Sequence, residues 1–130
     1  MKTNLFSLNI LISAISLGCF CQLHGEPTII STIPANNASG VSPSAAVVIT
    51  FSEPMNTEAT DAQFIAFPST ILVTSNAWNL AGTVLTCTPT PPFPANQLIF
   101  WVVSGENPNG DPLGGNPTGS FTTGSGGIAT

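Results

Sequence analysis

Residues 45–52 of the chain read AAVVITFS, and residues 53–56 continue with EPMN. Successive side chains of a β-strand point to opposite faces of a sheet, so Val47, Ile49 and Phe51 would share one face. β-branched and aromatic residues favour strands, and Pro54 cannot donate a ladder hydrogen bond. The stretch therefore predicts a strand that ends before Pro54 and buries one face in a core.

Short runs of the same kind occur on both sides of this strand, each bounded by Pro, Gly, Asn or Ser. After Thr28 no segment keeps apolar residues at helical spacing for three turns. The predicted count is close to the roughly seven strands per 100 residues of an immunoglobulin-like sandwich. We therefore predict an all-β, immunoglobulin-like antiparallel β-sandwich of about seven strands. The further runs are Thr28–Ile33, Gln63–Phe67, Thr70–Ser75, Trp78–Leu80, Thr83–Thr88, Gln97–Ser104 and Gly119–Thr123.

The run Gln97–Ser104 is apolar on both faces, because Ile99, Trp101 and Val103 alternate with Leu98, Phe100 and Val102. One face can enter the core, and we predict that Trp101 does so. The other face needs either a covering loop or a partner, so it is a candidate contact patch. The pattern leaves open whether Trp78 and Phe93 belong to the core or to a binding surface.

The segments between the runs carry their own local predictions. Thr57–Asp61 suits one helical turn with Thr57 as its cap. Pro89–Pro94 contains four prolines in the sequence PTPPFP and predicts a stiff, extended connection. Glu53, at the end of the central strand, is expected to hydrogen bond nearby backbone.

Charge and composition exclude one class of partner. Of the 130 residues, 5% are charged, against about 25% in an average soluble domain. Six acids face one Lys or Arg, which is Lys2. Nucleic-acid binding depends on Lys and Arg that displace counterions from phosphates, so we predict no nucleic-acid partner. A protein or a cell-surface polysaccharide remains as the expected partner.

The first residues predict export. Met1 and Lys2 precede the apolar run Leu5–Leu17, which is shorter than the roughly 20 residues that span a bilayer and resembles the apolar region of a secretory signal. Cleavage before Cys19 would allow a lipid anchor on that cysteine, whereas cuts after Cys21, Leu23 or Gly25 would release a plain secreted chain. An uncleaved N-terminal helix is the remaining alternative. We predict a signal at residues 1–25, a domain at 26–124 and a flexible tail at 125–130.

The segment Pro34–Asn56, PANNASGVSPSAAVVITFSEPMN, resembles the opening of the SbsA-type bacterial Ig-like domain (bacterial Ig-like group 5). The similarity continues through 85–89, 99–105, 110–116 and 121–124. It implies a non-catalytic module of secreted or cell-envelope proteins with a structural, spacer or adhesive role. Two positions depart from the family pattern, because Ile99 replaces a usual tyrosine and Cys87 replaces a usual aromatic residue.

A weaker similarity links the chain to CopC-type copper carriers, which begin with a histidine and then show a Pro-Ala segment and a Phe-Ser-Glu strand. His24 precedes Pro34-Ala35 and Phe51-Ser52-Glu53 in this order. The resemblance implies a copper ligand at His24, but the second histidine of those carriers is missing at Gly110-Asp111-Pro112. A solvated residue in a frayed terminus is the alternative interpretation of His24.

An oxygen-rich loop is the other candidate metal site. It contains Glu106, Asn107, Asn109, Asp111 and Asn116, and calcium takes six to eight oxygen ligands. The spacing lacks the EF-hand pattern. Turn chemistry explains the same residues without a metal, because Asn and Asp side chains bond their own backbone.

No residue pattern indicates an enzyme or a cofactor. The serines lie in predicted turns without a positioned base, and the spacing of the six carboxylates places no two of them across a cleft. Cys87 either pairs with Cys19 or Cys21 after early cleavage or, as we favour, stays alone as a small buried residue. We predict a non-catalytic module, with copper or calcium binding as the alternative.

Overall fold

The computed structural model describes residues 26–125. They form nine strands and, within that range, no α-helix. No helix of membrane-spanning length and hydropathy occurs between residues 26 and 125. The strands are β1 (Ile29–Ile33), β2 (Ala38–Val41), β3 (Val47–Phe51), β4 (Asp61–Ala66), β5 (Thr70–Leu72), β6 (Thr74–Trp78), β7 (Val84–Pro89), β8 (Leu98–Ser104) and β9 (Thr118–Thr123).

The strands form two sheets that pack face to face. One sheet has the order β1-β3-β7-β6, and the other has the order β2-β9-β8-β4-β5. All pairs are antiparallel except β2 with β9, which run parallel. This arrangement confirms the predicted all-β immunoglobulin-like sandwich.

The described range contains nine strands, whereas about seven were predicted. Strand β2 was not predicted, because Ala38, Ser39 and Gly40 have little strand propensity. The predicted run Thr70–Ser75 divides at Val73, where the chain passes from one sheet to the other. The predicted strand Trp78–Leu80 is wrong, because Trp78 ends β6 and residues after it form the turn to β7.

The core is built from the residues that the alternation pattern places on one face. Val47 and Ile49 are fully buried and Phe51 is nearly so. Trp101 is buried as predicted, and Phe93 packs against Phe64 and Phe121 with ring centroids 5.7 and 5.8 Å away.

Trp78, whose position the sequence left open, is half-buried at the edge of this core. Its ring stacks on that of Phe51, with the centroids 5.6 Å apart. Neither tryptophan is therefore a fully exposed contact residue, and both help to fill the space between the sheets.

Two local predictions need correction. Residues 57–59 form a turn, but its cap is Asn56 and not Thr57, since the Asn56 side-chain oxygen accepts hydrogen bonds from the backbone N–H groups of Glu58 and Ala59. Glu53 is bonded to a side chain and not to nearby backbone, because its carboxylate accepts a hydrogen bond from the Asn107 amide. That partner lies 54 residues away and could not be read from local sequence.

Cys87 is a buried free thiol on β7. Burial, with a smaller contribution from the Asp61 charge, raises the pKa of the Cys87 thiol from 9.0 to about 12. The unfolded chain therefore releases this proton near pH 9 while the folded chain keeps it. The free energy of unfolding should therefore be unaffected by this thiol below pH 9 and should decrease progressively as the pH rises from 9 towards 12.

We expect the unfolding temperature, measured under reducing conditions, to decrease as the pH rises above 9. The chain contains no tyrosine, and its single Lys or Arg is Lys2, so few other groups titrate in the same range. Cys87→Val should flatten the profile above pH 9. An equal alkaline loss in Cys87→Val would contradict the assignment to the thiol.

Several predictions concern residues outside the described range. They are the signal at residues 1–25, lipidation of Cys19, the copper ligand His24 and all of the predicted tail beyond Ser125. They remain predictions.

Candidate functional site

All carboxylate-bearing segments of the described domain meet at one end of the sandwich, although the Asp61 side chain turns towards the middle of β6, where it accepts a hydrogen bond from Asn76. β3 ends and β4 and β1 begin at this end, which also carries the loop from β8 to β9. Between residues 26 and 125 there is no Lys, Arg or His, so nothing there neutralises this charge. We call this region the acidic end, and its residues are Glu26, Glu53, Glu58, Asp61, Glu106 and Asp111.

Asn107 organises the centre of the acidic end. Its side chain is 2% exposed, and its amide nitrogen donates to Glu53 Oε2 and Asp111 Oδ2, each at 3.1 Å. Its side-chain oxygen accepts from the backbone N–H groups of Asn109 and Asp111, each at 2.9 Å. Both polar atoms of this buried amide are therefore satisfied, and one donor group holds two carboxylates together.

Besides Asn107, the structure gives different roles to the residues of the predicted calcium loop. Asp111 accepts from Asn107, and Asn109 contributes its backbone N–H to the same amide. The Asn116 side-chain oxygen instead accepts from the Thr118 hydroxyl. Glu106 contributes backbone, since its carbonyl accepts the N–H of Asn56 and its own N–H donates to Thr60. Among these residues, the Asn107 side chain bonds the backbone of its own loop.

No group of three or more His, Cys, Asp and Glu side chains between residues 26 and 125 is arranged to hold a metal ion. Calcium binding by the loop and copper binding at His24 stay predictions, because His24 lies before the described range. One pair of carboxylates does come together, Glu53 with Asp111, although the sequence did not indicate it. The buried Asn107 amide lies between the two carboxylates, so they share a donor and do not flank an open cleft.

The outer surface of the five-stranded sheet is apolar where β4, β5 and β8 meet. Register places Ile65 opposite Ile71 on one side and Phe100 on the other. The rings of Phe67 and Phe100 approach to 5.8 Å between centroids. We call this surface the apolar face, and it consists of Ile65, Phe67, Ile71, Leu98, Phe100 and Val102.

These side chains remain in solvent to an unusual extent. Ile71 is 72% exposed and Phe67 is 50% exposed, while Phe100 and Val102 are 39% and 38% exposed. No loop between residues 26 and 125 covers them, so the two-sided apolar pattern of β8 does produce the predicted outward patch. The neighbouring outward residues on β9 are the hydroxyl-bearing Thr118, Ser120 and Thr122.

The described chain enters and leaves the sandwich at opposite ends. Glu26 contacts Gly114 at the acidic end, just before β1 begins. Gly124 follows β9 at the other end, where its N–H donates to Val41 and its carbonyl accepts from Asn96.

Comparison with known proteins agrees with this architecture. The sequence profile of the bacterial Ig-like domain matches residues 24–123. The chain belongs to this family. No curated protein sequence matches the chain.

Solved structures of other bacterial Ig-like sandwiches superimpose on this one. CopC from Methylosinus trichosporium OB3b has a TM-score of 0.66 at 13% identity, over 80% of this chain and 99% of that one. Surface layer protein SbsC has a TM-score of 0.58 at 18% identity, over 94% of this chain and 17% of that one. L,D-transpeptidase 3 from Mycobacterium tuberculosis has a TM-score of 0.51 at 21% identity, over 75% of this chain and 37% of that one.

At these identities the similarities establish a shared fold and no shared activity. The bacterial Ig-like sandwich occurs as nearly the whole of CopC and as a small part of a surface layer protein. Both of the resemblances read from the sequence are therefore represented among proteins of the same fold.

Proposed function

We propose that this bacterial Ig-like domain is a non-catalytic, load-bearing spacer of a secreted or cell-envelope protein. The observation that carries the proposal is the placement of Glu26 and Gly124 at opposite ends of the sandwich. A chain pulled at both ends would therefore be loaded along its strands. The predicted export signal and the similarity to a surface layer protein support a place outside the cytoplasm.

The hydrogen bonds between the first and last parts of the domain suit this role. Strand β2 runs parallel to β9, with Ala38 opposite Phe121 and Val41 opposite Thr123. The Asn37 N–H donates to the Ser120 carbonyl at 2.7 Å. When the two chain ends are pulled apart, β2 and β9 are loaded in shear. The hydrogen bonds between them then bear the force simultaneously and do not break one by one.

Asn36 adds a side-chain contact to the same pair. Its side-chain oxygen accepts the Ser120 N–H at 2.8 Å across 84 residues of sequence. This bond fastens the beginning of β2 to β9. Its removal should weaken the mechanical resistance of the domain and leave most of the core intact.

Single-molecule pulling with handles on the two ends of the chain tests the proposal. We expect a single cooperative unfolding event, and we expect Asn36→Ala to lower the force at which it occurs. Asn116→Ala is the matched control, because the Asn116 side chain bonds Thr118 within one loop and does not join β2 to β9. Equal unfolding forces for both variants, or unfolding of the unmodified chain at negligible force, would count against a load-bearing spacer.

A further inference from the structure

We propose that the apolar face is a self-association surface, through which two copies of this chain pack sheet against sheet as a weak, reversible dimer. The proposal goes beyond the spacer role, which a monomer could fulfil. It rests on the composition of the face, on the distribution of charge around it and on its area.

The composition of the face favours a protein surface as its partner. Its six side chains are aliphatic or phenyl groups, and none of them can donate or accept a hydrogen bond. The two exposed rings, Phe67 and Phe100, are inclined to each other by 58°, so they form no flat platform for a sugar ring. Apolar, uncharged surfaces of this kind match the buried core of protein interfaces.

The distribution of charge favours a second copy. The nearest carboxylate along β4 is Asp61, four residues before the central Ile65, or about 13 Å at the rise of a strand. The apolar face comes closer to this charge at Val102, whose partner Gln63 is two residues, or about 7 Å, from Asp61, so the charge borders one end of the face. Two copies can pack face to face about a twofold axis that lies between the sheets and runs perpendicular to the strands. Their strands are then antiparallel, so the apolar faces meet while the two acidic ends lie on opposite sides of the dimer. A partner rich in Lys and Arg would instead be drawn to the acidic end.

The area of the face sets the expected strength. The three strands β8, β4 and β5 at their usual spacing and the seven residues of β8 give a surface of about 14 by 23 Å. Two copies would bury about 650 Å² before the relief of the side chains is counted, which is below the roughly 1,000 Å² of a stable specific interface. An interface of this size predicts a weak dimer that dissociates on dilution.

Sedimentation velocity of the chain, expressed in full so that any processing occurs, tests this proposal from micromolar to millimolar concentration. We expect a concentration-dependent shift from monomer to dimer. Ile71→Thr should raise the dissociation constant at least tenfold, since it removes the most exposed side chain of the apolar face and keeps a β-branched residue in β5.

Ile33→Thr is the matched control, because Ile33 is 65% exposed on β1 in the other sheet. It should leave the dissociation constant unchanged. Thermal unfolding of both variants verifies that each is folded. The proposal would be overturned if the chain is monomeric at every concentration, or if Ile33→Thr weakens dimerisation as much as Ile71→Thr does. It would also be overturned if the chain stays monomeric and the apolar face binds a soluble polysaccharide.

Discussion

Asn107→Asp is expected to destabilise the domain by roughly 3–6 kcal/mol at neutral pH. The substitution keeps the shape of the side chain but removes both hydrogen bonds that the amide nitrogen donates to Glu53 and Asp111. Each bond from a neutral donor to a charged group contributes about 1.5–3 kcal/mol. A third carboxylate would also be placed directly between two others. Because whole domains are stable by only about 5–15 kcal/mol, the variant should be close to unfolding.

Urea denaturation is the appropriate measurement, with Asn109→Asp as the control. Asn109 belongs to the same loop and is exposed, and it contributes only its backbone N–H to the cluster. The control adds the same charge and should change stability by about 0.5 kcal/mol or less. Equal stability of the two variants at neutral pH would show that Asn107 does not hold the acidic end together.

Gly119→Ala should cost about 3 kcal/mol or more, which is large for the addition of one methyl group. A Cβ atom at Gly119 would come within 2.3 Å of Cζ2 of the buried Trp101 ring. Overpacking of a dense core typically costs about 1–3 kcal/mol, and here the obstacle is a rigid indole that cannot fold away. The expected fall in the unfolding temperature is about 4–8 °C for each kcal/mol.

A double-mutant cycle separates this steric cause from a backbone effect. Trp101→Phe replaces the indole by a smaller phenyl ring that does not reach the position of Cζ2. It also removes a buried Nε1 that has no hydrogen-bond partner among the described residues. The single Trp101→Phe change should therefore cost less than its lost volume alone would imply. In the Trp101→Phe background, Gly119→Ala should become much less harmful, with a coupling of about 1–3 kcal/mol. Additive losses would indicate that Gly119 is needed for its backbone and not for the room that it leaves.

Local pattern was sufficient for most of the sandwich. Val47, Ile49 and Phe51 alternate with residues that point the other way, and the structure buries all three. The same rule showed that β8 is apolar on both faces, which is the origin of the apolar face. Strand β2 was not predicted because its residues are poor strand formers. It exists through pairing with β9, about 80 residues later in the chain.

The candidate site depended far less on local pattern. The sequence grouped Glu106, Asn107, Asn109, Asp111 and Asn116 by proximity along the chain and singled out none of them. In the structure Asn107 is the central residue, and its second carboxylate partner is Glu53. Nothing in the spacing of these residues signals the pair, since the two lie in loops that only the stacking of the sheets brings to one end.

The sequence by itself determined the class of fold, the buried face of its central strand and the absence of positive charge from residues 26–125, because alternation and composition act locally. Only the tertiary structure decided that the carboxylate-bearing segments meet at one end, that the chain leaves by the other, and that the outward side of β8 stays open to solvent. These features follow from the pairing order of the strands. That order depends on contacts between distant residues, whose free energies no local pattern encodes.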